Sequence, residues 1–124
     1  MKKIETRTAI ISYVEKGIVF VKFKPNTRLD KPDIFKNMAA ATKIARGRHC
    51  AILEINKNSG ITDAALKYAE SKDNAKNRIA NALLIKSASV KLLWSFFSMF
   101  FKPTVQNQIF TSKKAALIWL RKFQ

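Results

Sequence analysis

Two short runs constrain this chain more than anything else in it. His49-Cys50-Ala51-Ile52-Leu53-Glu54-Ile55 and Ile79-Ala80-Asn81-Ala82-Leu83-Leu84-Ile85 are almost continuously apolar. A strand with one face in water alternates. A run without alternation reads as a strand covered on both faces, as in a parallel sheet sandwiched by helices. A helix signal lies between the two: Thr62 at the cap, Asp63 in the first turn, and Ala65, Leu66, Tyr68 and Ala69 as the apolar face. Strand, helix and strand in this order join parallel neighbours by a right-handed crossover.

The rest of the chain extends this unit on both sides. Residues 5–14 read as a strand, with Ala9, Ile11 and Tyr13 on one face and Thr8, Ile10 and Ser12 on the other. Glu15-Lys16-Gly17 reads as a three-residue hairpin turn, and 18–24 as its return strand, with Val19, Val21 and Phe23 inward and Lys22 and Lys24 outward. Asp30-Lys31-Pro32-Asp33 opens a helix expected to bury Ile34, Phe35, Met38, Ala41, Thr42 and Ala45 and to stop at Gly47. Residues 56–60 read as a loop. A third helix is expected over about 89–101, a short strand at Gln108-Ile109-Phe110, and a last helix capped by Thr111 or Ser112 that buries Ala116, Leu117, Leu120 and Phe123. The order is β-β-α-β-α-β-α-β-α, a mixed α/β sheet with an N-terminal hairpin and helices packed on it. With 124 residues there is material for one domain, 1–124.

Charge is the second constraint. There are 24 Lys and Arg against 8 Asp and Glu, a net +16. The last acid is Asp73; nine basic residues follow it. Such a field attracts phosphate, anionic lipid or an acidic protein surface. Among the cations Lys outnumbers Arg 18 to 6, and neither a helix-turn-helix nor a GXXG loop is present, so readout chemistry for nucleic acid is missing. Charge interrupts any apolar run near Met1, and no window approaches the ~18–20 apolar residues of a spanning helix. A cytoplasmic location, with Cys50 as a free thiol, is the expectation.

Catalytic patterns are thin. His49 and Cys50 are adjacent, so on a strand their side chains point to opposite faces and cannot form a nucleophile–base pair. One His and one Cys do not make a metal cage, and no phosphate loop or dinucleotide fingerprint appears. No enzyme activity, cofactor or metal is expected. The polar residues Glu54, Ser59, Thr62 and Asp63 fall near the carboxyl ends of the strands, where open α/β sheets commonly bind ligands, and together could line one small pocket.

The element order, with Gly17-Ile18-Val19-Phe20-Val21-Lys22-Phe23-Lys24-Pro25-Asn26, Ala51-Ile52-Leu53-Glu54-Ile55, Phe96-Phe97, Lys102-Pro103 and Ile109-Phe110-Thr111-Ser112 running into Ala116-Leu117-Ile118-Trp119-Leu120, resembles the STAS-like family. Within it the chain is similar to small bacterial STAS/SEC14-like domains of unknown function. In the anti-sigma-factor antagonists of that family an Asp-Ser pair opens a helix, and a partner kinase phosphorylates the Ser. The corresponding pair here is Thr62-Asp63, after Asn58-Ser59-Gly60-Ile61, so Asp63 stands where the family has its serine. The resemblance implies a regulatory module acting through protein contacts, with Glu54, Ser59, Thr62 and Asp63 as its candidate regulatory loop and helix start.

The expected third helix carries Lys91, Ser95, Ser98 and Lys102 as a polar stripe, with Trp94, Phe96, Phe97, Phe100 and Phe101 among its large residues. A helix on one sheet face needs only part of its circumference apolar, so the surplus asks for a partner. Trp94, Phe97, Phe100 and Phe101 are therefore candidate interface residues for a homodimer or another protein. An anionic lipid surface is the first alternative and non-specific nucleic acid the second.

Overall fold

The computed structural model describes residues 2–55, 59–86 and 105–124. Six strands form one sheet: β1 (Lys3–Glu5), β2 (Ala9–Glu15), β3 (Ile18–Phe23), β5 (His49–Ile55), β7 (Arg78–Ile85) and β8 (Gln106–Phe110), in the order β1-β2-β3-β5-β7-β8. The first three are antiparallel neighbours, and β3, β5, β7 and β8 run parallel. A two-stranded parallel ladder, β4 (Arg28–Leu29) with β6 (Gly60–Ile61), sits apart. The described helices are α1 (Lys31–Ala45), α2 (Asp63–Ala69), α3 (Lys72–Ala75) and α4 (Lys113–Leu120), the last followed by a 3-10 turn, Arg121–Phe123.

Each face of the sheet has its own core. On one, Ala9, Ile11, Val19, Val21 and Ala51 meet Ala41 and Ile44 of α1. On the other, Ile18, Phe20, Cys50, Ile52, Ala80, Ala82 and Leu84 meet Ala116 and Leu120 of α4. The apolar runs of β5 and β7 are thus explained by double coverage. β3 is covered in the same way. Ile18, Val19, Phe20 and Val21 are all buried, so the inward–outward alternation expected there gives way to an interior strand.

Two local expectations are corrected, and they share a cause. The strand expected over 5–14 is broken: residues 6–8 turn between β1 and β2, and β1 adds an antiparallel edge. The broken stretch feeds α1. Thr6 Oγ1 donates to Asn37 Oδ1 (2.6 Å), Asn37 Nδ2 donates to Thr8 Oγ1 (2.9 Å), and Arg7 pairs in bidentate fashion with Asp33. With these partners, polar Asp33 and Asn37 join Ala41 and Ile44 on the buried stripe of α1. Of the stripe expected through Ile34, Phe35 and Met38, the first and last are half-buried and Phe35 is turned out. Phe35 lies roughly 200° round the helix from both Asp33 and Asn37 and is 61% exposed.

The turns are also tighter than expected. Lys16–Gly17 is a two-residue connection, with a register irregularity between Tyr13 and Glu15. Gly17 has φ +79°, a backbone conformation that favours glycine. At the end of α1 the left-handed cap is Arg46, φ +62°, and the Gly47 N–H reaches back to Thr42 O (3.1 Å). The last helix is capped by Ser112, whose Oγ accepts from the Ala115 N–H. The helix expected over about 89–101, with Trp94, Phe97, Phe100 and Phe101, lies outside the described residues.

Candidate functional site

At the carboxyl end of the parallel strands, two helix starts are locked together. Asp30 caps α1 in a capping box with Asp33, and its Oδ1 also accepts the Thr62 hydroxyl (3.0 Å). Thr62 in turn accepts from the Ala65 N–H (3.1 Å) and caps α2. The β4–β6 ladder fixes the approach: the Gly60 N–H donates to Thr27 O and the Thr62 N–H to Leu29 O. One hydroxyl therefore serves two helices.

The four residues expected to share a pocket here are each engaged separately. Ser59 Oγ donates to Lys24 O (3.2 Å). Glu54 pairs with Lys86 (3.0 Å). Thr62 is tied to Asp30, and Asp63 is exposed in the first turn of α2. None of the four lines either of the cavities that border Arg78.

That other end, at the amino ends of β5, β7 and β8, holds a group that sequence reading passed over. Arg78 is 7% exposed. Its Nε donates to His49 Nε2 (3.1 Å), one Nη donates to Asn81 Oδ1, and the other meets Met38 Sδ (3.5 Å). His49 Nδ1 donates to Gly47 O (2.9 Å), which leaves Nε2 as the acceptor Arg78 needs. The backbone creates this arrangement. Between the pairs His49/Arg78 and Ala51/Asn81, β5 advances two residues and β7 three, so β7 carries an extra residue. That bulge returns Asn81 to the face of Arg78.

Electrostatically the cluster is one buried cation without a counter-charge. No salt bridge involves Arg78, and neither 56–58 nor 87–104 contains an Asp or Glu. Burial pulls Arg78 down to about 10, which still leaves it protonated at neutral pH. Burial, and then the charge of Arg78, push His49 down to about 4, so it is neutral. Cys50 faces the opposite core, where burial pushes its thiol up and Gln124 Nε2 lies 3.5 Å from Sγ. His49 and Cys50 are thus separated by the sheet.

Two cavities meet at Arg78. The inner one, about 110 Å³, lies between α1, α3 and the sheet, with Val21, Phe23, Ile34 and Leu53 on its apolar side and Asn74 and Arg78 on its polar side. Asn74 Oδ1 is buried and has no hydrogen-bond partner among the described residues. The outer one, an open groove of about 540 Å³, is lined by Arg48, Lys72, Lys76 and Arg78 and by no acid. Ala75, Arg78 and Val105 belong to both. The signal available in the sequence was Arg78 itself, a charged residue opening an otherwise apolar strand.

The fold is matched by a solved structure, an uncharacterized protein from the DUF3478 family with a SpoIIAA-like fold, from Shewanella loihica PV-4. The match has a TM-score of 0.56 at 15% identity and covers 95% of this chain and 90% of that one. The architecture is therefore SpoIIAA-like, in agreement with the STAS-like reading of the sequence. No curated protein matches the chain. Residues 12–124 match the model of a domain of unknown function, DUF7793, and the chain belongs to that family.

Proposed function

We propose that this protein is a non-enzymatic regulatory module that docks a protein partner on the end of the molecule where α1 and α2 begin. The observation that carries this reading is Phe35. It is a large aromatic side chain, 61% exposed, on the first turns of a helix whose start is fastened to that of α2. Aromatic residues held on rigid elements are the usual anchors of protein interfaces. In the antagonists that the sequence resembles, the helix start corresponding to Thr62-Asp63, to which the start of α1 is tied here, is the one a partner reads.

The chemistry at hand supports binding over catalysis. The single His is doubly engaged and neutral, and the single Cys is buried on the other side of the sheet. Thr62 is poorly suited to a phosphate switch. Its proton is donated to Asp30, and a phosphate there would face that carboxylate and surrender the cap of α2.

A photo-crosslinking amino acid at position 35, in cells carrying the full chain at native level, tests the reading. A discrete heteromeric adduct at 35, absent when the crosslinker stands at Ile118 on α4, is the expected result; Ile118 is 50% exposed and serves as the control. Adducts from 118 but not from 35 would overturn it. An adduct of the chain with itself at 35 would make the partner a second copy.

A further inference from the structure

We infer that the amino end of the sheet is a binding site for a small phosphate monoester, with the phosphate in the groove of Arg48, Lys72, Lys76 and Arg78 and its organic group in the inner cavity. This goes beyond the docking surface at Phe35, whose side chain lines neither cavity, and the two readings fail independently.

Three observations converge on it. First, Arg78 is buried with no acid. A buried cation is costly unless it is paired and fully hydrogen-bonded, and among the described residues its second Nη meets only a thioether. An anion supplies what the chain does not. Second, three further cations line the outer groove, and no carboxylate competes for them. One cation balances a carboxylate. Four suit the charge of nearly −2 that a phosphate monoester carries near neutral pH. Third, the inner cavity reached past Arg78 is walled mainly by apolar side chains and holds the unpartnered Asn74 Oδ1. Its volume, about 110 Å³, approaches that of engineered apolar cavities that accept benzene, roughly 150 Å³. The organic group is therefore small, a single ring or a few carbons, and a hydrogen-bond donor on it would satisfy Asn74.

The phosphate groove stands at the amino ends of the parallel strands, opposite the crevice where open α/β sheets ordinarily bind ligands, and the inner cavity runs from Arg78 along the α1 face to Val21, Phe23 and Leu53 in the carboxyl halves of β3 and β5. Its polarity is set by side chains, and the bulge in β7 is what turns Arg78 and Asn81 to one side.

Calorimetric titration of the full chain with phenyl phosphate, inorganic phosphate and phenol tests the inference. Phenyl phosphate is expected to bind at least about tenfold more tightly than phosphate, with phenol undetectable. Because a chain of net +16 attracts any anion, two charge-matched variants separate a site from diffuse attraction. Lys72→Gln with Lys76→Gln should weaken phenyl phosphate about tenfold or more. Lys113→Gln with Lys114→Gln, on α4, should leave it within about twofold. Both pairs are exposed, so folding is not at issue. Equal affinity for phenyl phosphate and phosphate would overturn the inner cavity's role. Equal loss in both variants, or no binding by the wild-type chain, would overturn the site.

Discussion

The two ends of the sheet treat polarity in opposite ways. At the carboxyl end the polar side chains are matched to one another: Thr62 with Asp30, Glu54 with Lys86, Asp33 with Arg7. Around Arg78, at the amino end, a buried cation has no acid, a buried amide oxygen has no partner among the described residues, and a cavity lies between them. The first end holds helices together, and its polar groups are largely spent on that task. The second retains unspent hydrogen-bonding capacity beside open space, and such capacity is what a ligand can use. Polar residues near strand ends are thus a poor guide by themselves; the discriminating quantity is whether their donors and acceptors are already occupied.

The contrast can be broken most strongly at Arg78. Arg78→Ala removes the donor from His49 Nε2 and from Asn81 Oδ1 and enlarges the cavity. The expected loss is about 3 kcal/mol in denaturant unfolding. Arg78→Met fills the space and removes the unpaired charge, so its loss should be about 1 kcal/mol or less. Equal losses would show that the guanidinium's bonds, not its bulk, hold this end.

His49 gives the next largest effect, and it depends on pH. Its folded pKa is depressed to about 4 from 6.5. Between those values the unfolded chain takes up a proton that the folded chain refuses, so stability falls as pH drops from 6.5 towards 4. The stability is fully present above 6.5. At 1.36 kcal/mol per unit the loss across that window is at most about 3 kcal/mol. In His49→Asn this slope should vanish from urea midpoints measured between pH 7 and 4.5.

Asn37→Leu sharpens the carboxyl-end side of the comparison. It leaves the fully buried Thr8 hydroxyl without its donor and cuts the link to Thr6, for an expected cost of about 2 kcal/mol in urea unfolding. Thr62→Ala removes one cap and the tie to Asp30, with a cost of about 1 kcal/mol. Phe35→Ser should stay within about 0.5 kcal/mol by the same measurement, because the side chain it removes is largely in water. A loss near that of a core residue would mean Phe35 packs within the fold and does not serve as an anchor.

Much of the architecture was legible because burial on both sides of a strand leaves a mark in composition. β5, β7, the start of α1 at Asp30 and the start of α2 at Thr62 all follow from local pattern. The α1 face did not, because the rule that apolar residues turn inward assumes polar ones find no partners inside. Asp33 and Asn37 find them in Thr6, Arg7 and Thr8, about thirty residues away in sequence. The amino-end site was illegible for a similar reason. Arg48 is about thirty residues from Lys72, Lys76 and Arg78, and apart from the charge that opens the apolar run of β7 nothing local distinguishes the four among 24 cations.

By itself, then, the sequence determined the mixed sheet, its parallel centre, the helix starts and the excess of positive charge, since each depends on residues close together along the chain. Tertiary structure alone decided which face α1 turns inward, that Arg78 is buried without an acid, and that two cavities meet beside it. Hydrogen-bond satisfaction and cavity shape are properties of segments brought together from afar, and no local window carries them.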